Sequence, residues 1–311
     1  MGKWKTFIHN GPIWPDSYKS QGFKFNGKLL NRDAEVRLYQ FATRYFDTDA
    51  MKDKFLIKNA WAAIKEVLPT DQIKNFPEDY ISLFKEMKAK AEQNKELKKA
   101  EDKSLKEDRK EKTALLKEQH GYALVDGVKQ PLLQFMIEPE GFYSGRGQSP
   151  LRGRWKYAVQ PEDVTINYFS GDKKDPFKGM PEAPKGHHWK AVISNNNSLN
   201  MCTYSIDVGH YFKTQKKYAL GSGSSQKIAK DIHKYNKAKY LVAHWDSMEK
   251  HILNGIKSTD PVKKQAALIS WLILNTGIRV GVEKNELIDN KTVGASSLLV
   301  KNVKIYNLDC K

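Results

Sequence analysis

Cysteine is nearly absent: Cys202 and Cys310 are the only two in 311 residues, and they lie far apart. That usage fits a reducing compartment and excludes a zinc site built on cysteines. No window approaches the roughly 18 continuous apolar residues that a membrane-spanning helix needs. The first residues, Met1-Gly-Lys-Trp-Lys5, lack the apolar stretch of a secretory leader. No Gly-rich phosphate loop is present, and no Ser/His/Asp or Cys/His spacing points to a hydrolase-type nucleophile. No carboxylate cluster suggests a magnesium-dependent nuclease, and no internal repeat is evident. The sequence therefore implies no cofactor, no metal and no membrane partner.

What is present in excess is positive charge. Fifty-three Lys and Arg stand against 36 Asp and Glu, for a formal net charge of +17. Such an excess points to a polyanionic partner, nucleic acid first, with a lysine-rich soluble protein as the alternative. Residues 88–118 are dominated by Lys, Glu and Ala and contain no Gly or Pro, which predicts a long solvated helix. They hold eleven basic and eight acidic residues, so most of the excess lies in the rest of the chain.

Other segments differ in texture. Residues 1–19 read as irregular and aromatic, and 33–68 as helical, with Pro69 and Pro77 as punctuation. Pro77-Glu-Asp79 reads as a helix start. Between 121 and 210, short apolar runs (Tyr122–Val125, Leu132–Ile137, Val164–Tyr168, Trp189–Ile193) alternate with turn residues, which predicts a β-rich unit. Gly221–Ser225 reads as a flexible turn. Helical patterning then returns over Ile228–Asn254, as one helix or two, and over Pro261–Thr276, which looks buried. The fold class is α+β.

Three stretches could carry chemistry. Glu138–Gly147 ends in an arginine, Arg146, framed by glycines, followed within ten residues by Arg152, Arg154 and Lys156. Glycine lets a backbone approach another surface closely, and an arginine held there could fork onto phosphate or enter a groove; a basic surface loop is the alternative. His187-His188 invites a metal reading, but no ligand partners stand at the right spacing, so a structural role is expected. Arg279 follows the most apolar helix between Gly277 and Gly281. It could cap that helix, or stabilise negative charge developing on a phosphate. Lys216-Lys217-Tyr218 pairs charge with an aromatic, a weak phosphate-contact signal.

Taken in order, these stretches resemble the eukaryotic-type (type IB) DNA topoisomerase I family along nearly the whole chain. Trp4-Lys5 with Gly11-Pro12 is similar to the family's W-K…G-P start. Leu115-Leu-Lys-Glu…Asp126 resembles L-L-K-E…D with one residue inserted. Ile137-Glu-Pro-Glu-Gly with Gly145-Arg-Gly147 resembles I-E-P-P-G…G-R-G. Pro161-Glu-Asp163 with Ile166-Asn167, Gly186-His-His-Trp-Lys190, and Lys217-Tyr218 with Ser224-Ser225 have counterparts too. Arg279-Val-Gly-Val-Glu-Lys284 resembles R-A-G-N-E-K, and Thr292-Val-Gly294 with Ser297-Leu298 resembles T-V-G-x-x-S-L.

The resemblance implies a two-lobed clamp on duplex DNA. Residues 1–19 would start the upper lobe, 20–105 form a helical cap with long charged helices, 106–210 a β-rich DNA-binding part, and 211–311 the incomplete start of a helical catalytic lobe. Family members cut one strand with a tyrosine and relax supercoils by strand rotation, without ATP or an obligatory metal. By resemblance Arg279 is a catalytic arginine on the scissile phosphate. Lys98, Arg146, Lys156, Tyr204, Lys217, Tyr218, Lys234, Arg279, Val280, Gly281, Val282, Glu283, Lys284 and Thr292 fall where the family touches DNA. Val282 departs from the motif, which has asparagine there. The family's lysine acid, second arginine, histidine and S-K-x-N-Y nucleophile motif do not occur, and the surroundings of Tyr306 do not match that motif. The chain is thus expected to bind duplex but not relax it alone. It would be a fragment, the larger part of a split enzyme completed by a second polypeptide, or a non-catalytic DNA-binding module. The family is mainly nuclear; a viral source is the alternative.

Overall fold

The computed structural model describes residues 4–100, 103–145, 149–282 and 293–304. The chain divides into two compact units, residues 1–145 with 151–228, and residues 146–150 with 229–311.

The first unit combines a helical half with a sheet half. Strand β1 (Phe7–His9) is followed by a small hairpin, β2 (Lys24–Phe25) and β3 (Lys28–Leu29). Helix α1 (Arg32–Arg44) starts at Asn31, whose side chain accepts from the Ala34 amide at 2.8 Å. The helical stretch expected over 33–68 is broken. Asp47 turns the chain at φ 58°, and a short 3₁₀ turn, Asp49–Lys52, precedes α2 (Lys54–Lys65), capped by Asp53. The Pro77 segment forms a 3₁₀ turn, Glu78–Tyr80, leading into α3 (Ile81–Ala100). The predicted charged stretch is helical on both sides of residues 101–102, which lie outside the described residues: α3 before them and α4 (Lys103–His120) after.

One apolar face of α1, α2 and the start of α3 closes the core of this half. Phe41, Phe84, Tyr80, Leu38, Ile64 and Met87 are fully buried there, joined by Phe142 and Trp155 from the sheet half. Two buried charges tie the helices to their surroundings. The Arg37 guanidinium lies 4.9 Å from the Trp155 ring, donates to the Ala63 carbonyl and pairs with Glu66 at 2.8 Å. The Glu35 carboxylate accepts from the Tyr18 and Ser20 hydroxyls and from the amides of Gln21, Gly22 and Phe23. Burial alone would raise its pKa, but these donors outweigh it and hold the pKa below the ordinary value.

The sheet half begins with β4 (Tyr122–Val125), which pairs with β1 on one side and with β5 (Val128–Pro131) on the other. The Asp126 side chain accepts from the amides of Lys5 and Thr6, locking the first strand in register. The larger sheet has the order β6 (Gly141–Phe142), β7 (Trp155–Lys156), β10 (Asn200–Val208), β8 (Thr165–Asn167), β9 (Ala191–Ile193), with β11 (Tyr211–Ala219) on the far side of β10. Burial alternates along most of β10 as a half-covered strand requires. The run Leu132–Ile137 is not a strand but is held by isolated bridges, Ile13 to Met136 and Leu132 to Leu220. Residue 211, expected to open the second lobe, lies inside the β10–β11 hairpin and stays with the first unit. Gly221–Ser224 is an ordered turn: the Gly221 amide donates to the Pro131 carbonyl, and the Ser224 hydroxyl to the Gly221 carbonyl.

Helix α5 (Ser225–Ala243) leads into the second unit, where α6 (Trp245–Ile256) packs against α7 (Pro261–Thr276). The expected span 228–254 is thus two helices. Helix α7 has the boundaries its sequence predicts: Asp260 caps its start and Gly277, at φ 69°, ends it. Its expected burial is not observed. Leu268, Trp271 and Leu274 are exposed, because α6 covers only one side of the helix among the described residues.

Candidate nucleic-acid interface

In the first unit, the segment that leads to Gly145-Arg146-Gly147 is pinned from two directions. Positions 32, 36, 40 and 44 share one face of α1. Arg32 pairs with Glu140, and Arg44 donates to the Phe142 carbonyl at 3.3 Å. The Gln40 amide nitrogen donates to the Glu140 carbonyl at 3.4 Å, and its oxygen accepts from the Phe142 amide at 3.3 Å. Gly141, between them, sits at φ 154°, and a Cβ there would lie 2.6 Å from the Gln40 oxygen. The positive φ favours glycine at this step, and a larger residue would push the Gln40 amide from its place.

From the sheet side, Lys156 stands opposite Gly141 and pairs with Glu138 at 3.1 Å. The Tyr218 hydroxyl donates to the Met136 carbonyl at 2.6 Å, and the Tyr204 hydroxyl donates to that of Tyr218 at 2.9 Å. Burial pushes the Tyr218 phenol up to about 12, and burial plus the bond to Tyr218 pushes Tyr204 higher still, so both stay protonated. Lys156, Tyr204 and Tyr218 are therefore brought together, but as supports. Both tyrosines are almost wholly buried and Lys156 is largely so. In this fold the two tyrosine side chains face the interior, and the Tyr218 hydroxyl holds the Met136 backbone. Arg146 lies outside the described residues, as do Glu283, Lys284, Thr292 and the side chains of Lys98 and Lys217.

In the second unit, two motifs separated by a dozen residues meet through their backbones. The Arg279 carbonyl accepts from the Ala295 amide at 2.8 Å, and the Val280 carbonyl from the Ser296 amide and hydroxyl, each at 2.7 Å. Gly281 sits at φ 102°, and a Cβ there would lie 2.8 Å from the Ser296 Oγ and 2.9 Å from that of Ser297. A Cβ on Gly294 would run into the Gly281 backbone and the Arg279 carbonyl. The Gly277 amide donates to the Ile273 carbonyl at 3.0 Å, the last main-chain bond of α7. Arg279 itself is exposed, beside the exposed Val280 and Val282. Lys234, on α5, is exposed and pairs with Asp231 at 3.0 Å.

His187 and His188 both turn toward Glu162, with Nδ1 atoms 3.0 and 3.7 Å from one of its oxygens. Among the described residues no cluster of three or more His, Cys, Asp or Glu is suited to a metal ion. Sequence reasoning missed two participants. Ser296 was invisible because its partner is a backbone carbonyl, and Gln40 because nothing but its place on the 32/36/40/44 face marks it.

The comparisons with known proteins agree with this reading. A family model described as eukaryotic DNA topoisomerase I, DNA binding fragment, matches residues 2–218, and one described as eukaryotic DNA topoisomerase I, catalytic core, matches residues 223–310. The two meet in the turn before α5. The chain belongs to the eukaryotic DNA topoisomerase I family. It is 30% identical over 310 residues to DNA topoisomerase 1 beta of Arabidopsis thaliana, covering 97% of this chain and 32% of that protein. It is 28% identical over 314 residues to DNA topoisomerase 1 of Mus musculus, covering 98% and 39%. It is 27% identical over 313 residues to the mitochondrial DNA topoisomerase I of Rattus norvegicus, covering 98% and 51%. The chain thus spans about a third to a half of the length of these relatives, whose plant and animal sources give no support to a viral origin. No helix of the described residues is long and apolar enough to cross a membrane.

Proposed function

We propose that this chain binds duplex DNA and supplies, through Arg279, a charge that stabilises the scissile phosphate in strand cleavage by a type IB topoisomerase. The observation that carries this reading is the backbone crossing of residues 279–281 with 294–297, which fixes the root of Arg279 while leaving its guanidinium exposed. A guanidinium positioned before charge develops needs no reorganisation when it does, which is why such groups dominate catalysis. Arg146, Lys98, Lys217, Lys234, Glu283, Lys284 and Thr292 would supply duplex contacts, with Lys156 and the Tyr204–Tyr218 pair shaping the approach to Arg146. The attacking tyrosine, forming a 3′-phosphotyrosyl link, would come from outside these 311 residues, on the same or a second polypeptide. The working compartment would be the nucleus.

Duplex-binding and plasmid-relaxation measurements test this together. The chain is expected to bind duplex, with affinity falling steeply as salt rises, and to give no relaxation alone. In an enzyme completed with the tyrosine-bearing part, Arg279→Ala should leave binding nearly intact and slow cleavage by about a hundredfold or more. Relaxation by the chain alone, or equal loss of binding and cleavage in the variant, overturns the assignment. Cleavage unaffected by the variant removes the catalytic role of Arg279 and leaves duplex binding as this chain's part.

A further inference from the structure

The first unit holds a cavity of about 630 Å³ between the start of the chain, helix α1 and the segment that leads to Arg146. Its apolar walls are Trp14, Tyr18, Val159 and prolines from four separate stretches, Pro139 and Pro161 among them. The size is that of a site for a small organic molecule. It includes none of the positions assigned to duplex contact. The walls are fixed by the fold itself. Trp14 stacks on Trp189 at 5.9 Å, and its indole N–H donates to the Val159 carbonyl at 2.7 Å. The Tyr18 hydroxyl donates to Glu35 at 2.9 Å.

Charge in the cavity runs against that of the chain. Three carboxylates line it, Asp16, Glu138 and Glu140, against one guanidinium, Arg32, in a protein of net charge +17. Glu140 pairs with Arg32, and Glu138 with Lys156 at 3.1 Å. Asp16 is exposed and forms no ion pair among the described residues. Several donors around the cavity are already committed. Arg32 is shared between Asp33 and Glu140, and the Gln40 amide nitrogen goes to the Glu140 carbonyl. The donors of Trp14 and Tyr18 are spent on Val159 and Glu35. What these groups leave to a ligand is apolar surface, ring faces and carboxylate oxygens. A peptide brings a carbonyl with almost every N–H and meets few donors here. An organic ammonium ion brings donors alone.

We infer that this cavity is a binding site for an organic ammonium ion with an apolar body, of the aryl-alkyl amine class. The body lies against Trp14, Tyr18 and the prolines. The ammonium meets the Asp16 carboxylate, with ring π-density as a further partner. Burial of the apolar body supplies most of the affinity. The charge pair, partly in water, contributes less and sets the preference for a cation. Every lining residue belongs to the first unit, so the site stands whether or not the chain binds duplex.

The test uses the whole chain without nucleic acid and a pair of fluorescent probes. Dansylcadaverine carries a primary ammonium on an alkyl tail; N-pentyldansylamide has the same body and tail without the charge. Dansyl emission rises and shifts to the blue in an apolar site, which gives the binding curve. Dansylcadaverine is expected to bind saturably, about threefold or more tighter than the neutral probe. On a chain of net charge +17, general electrostatics would give the opposite preference. Asp16→Asn should abolish the preference and leave binding of the neutral probe unchanged. Ala158→Trp, at an exposed lining position, should fill the cavity and weaken both probes by about tenfold or more. Far-UV circular dichroism checks that each variant is folded. The Asp16→Asn comparison decides by itself, since it alters only an exposed side chain. Absence of saturable binding, a neutral probe bound as tightly as the cation, or a preference that survives Asp16→Asn overturns the inference. So does a folded Ala158→Trp variant that binds as the wild type does.

Discussion

His9 shows how one buried side chain sets a response of the whole protein. Its ring is enclosed, with Nε2 2.9 Å from the Asn167 carbonyl and Nδ1 accepting from the Gly11 amide. Burial pulls its pKa down to about 4, a fall only partly offset by the Asn167 carbonyl. The unfolded chain therefore takes up the proton first as pH falls. Stability from this site is complete above about pH 6.5 and declines between there and about pH 4, by about 3 kcal/mol in all. Urea melts at pH 7.5 and pH 5 are expected to show the decline, and His9→Gln should remove most of that pH dependence. An equally steep decline in the variant would assign it to other groups. The sequence offered no hint of this. Neither His9 nor Arg37, sandwiched by aromatics in the core, carries a spacing that separates a buried charge from a surface one.

Elements were legible where a single segment carries its own signal. Strand β4 and helix α7 have the boundaries that the apolar runs and the Pro and Gly punctuation indicate. The β10–β11 hairpin, with the longest strands described, was missed. One strand alternates Cys202, Tyr204, Ile206 and Val208 with polar neighbours, and the other is rich in lysine, so neither forms a short apolar run. The burial of α7 was misread because apolar content reports what a helix could bury, not what covers it. The crossing of 279–281 with 294–297 left only its glycines in the sequence, since its bonds are between backbones. At this scale Gly281→Ala is expected to break the crossing, because its Cβ meets two serine hydroxyls and its φ suits only glycine. Hydrogen exchange of the Ala295 and Ser296 amides should quicken by at least about tenfold while the middle of α7 is unchanged; unaltered exchange at both would show the crossing to be dispensable.

Across the molecule, burial is distributed very unevenly. The first unit holds a continuous aromatic core, whereas Ala295 is the one buried hydrophobic residue among the described residues of the second. Stability follows buried apolar area, so native-state hydrogen exchange is expected to separate the two by orders of magnitude, slow in α1 and β10 and fast in α5 and α6. Added duplex should slow α5 and leave α1 unaffected. Protection in the isolated chain equal across both units would contradict this account. The charge that makes duplex the expected partner was fully legible in composition.

The paired glycines of the second unit have a consequence for chain length. Because Gly281 and Gly294 touch, the two ends of the segment that joins them are held together. Closing a loop twice as long costs only about 0.6 kcal/mol more. Insertions between these glycines should therefore leave the root of Arg279 in place, so that relatives could differ freely in the size of that excursion while the arginine it follows keeps one position.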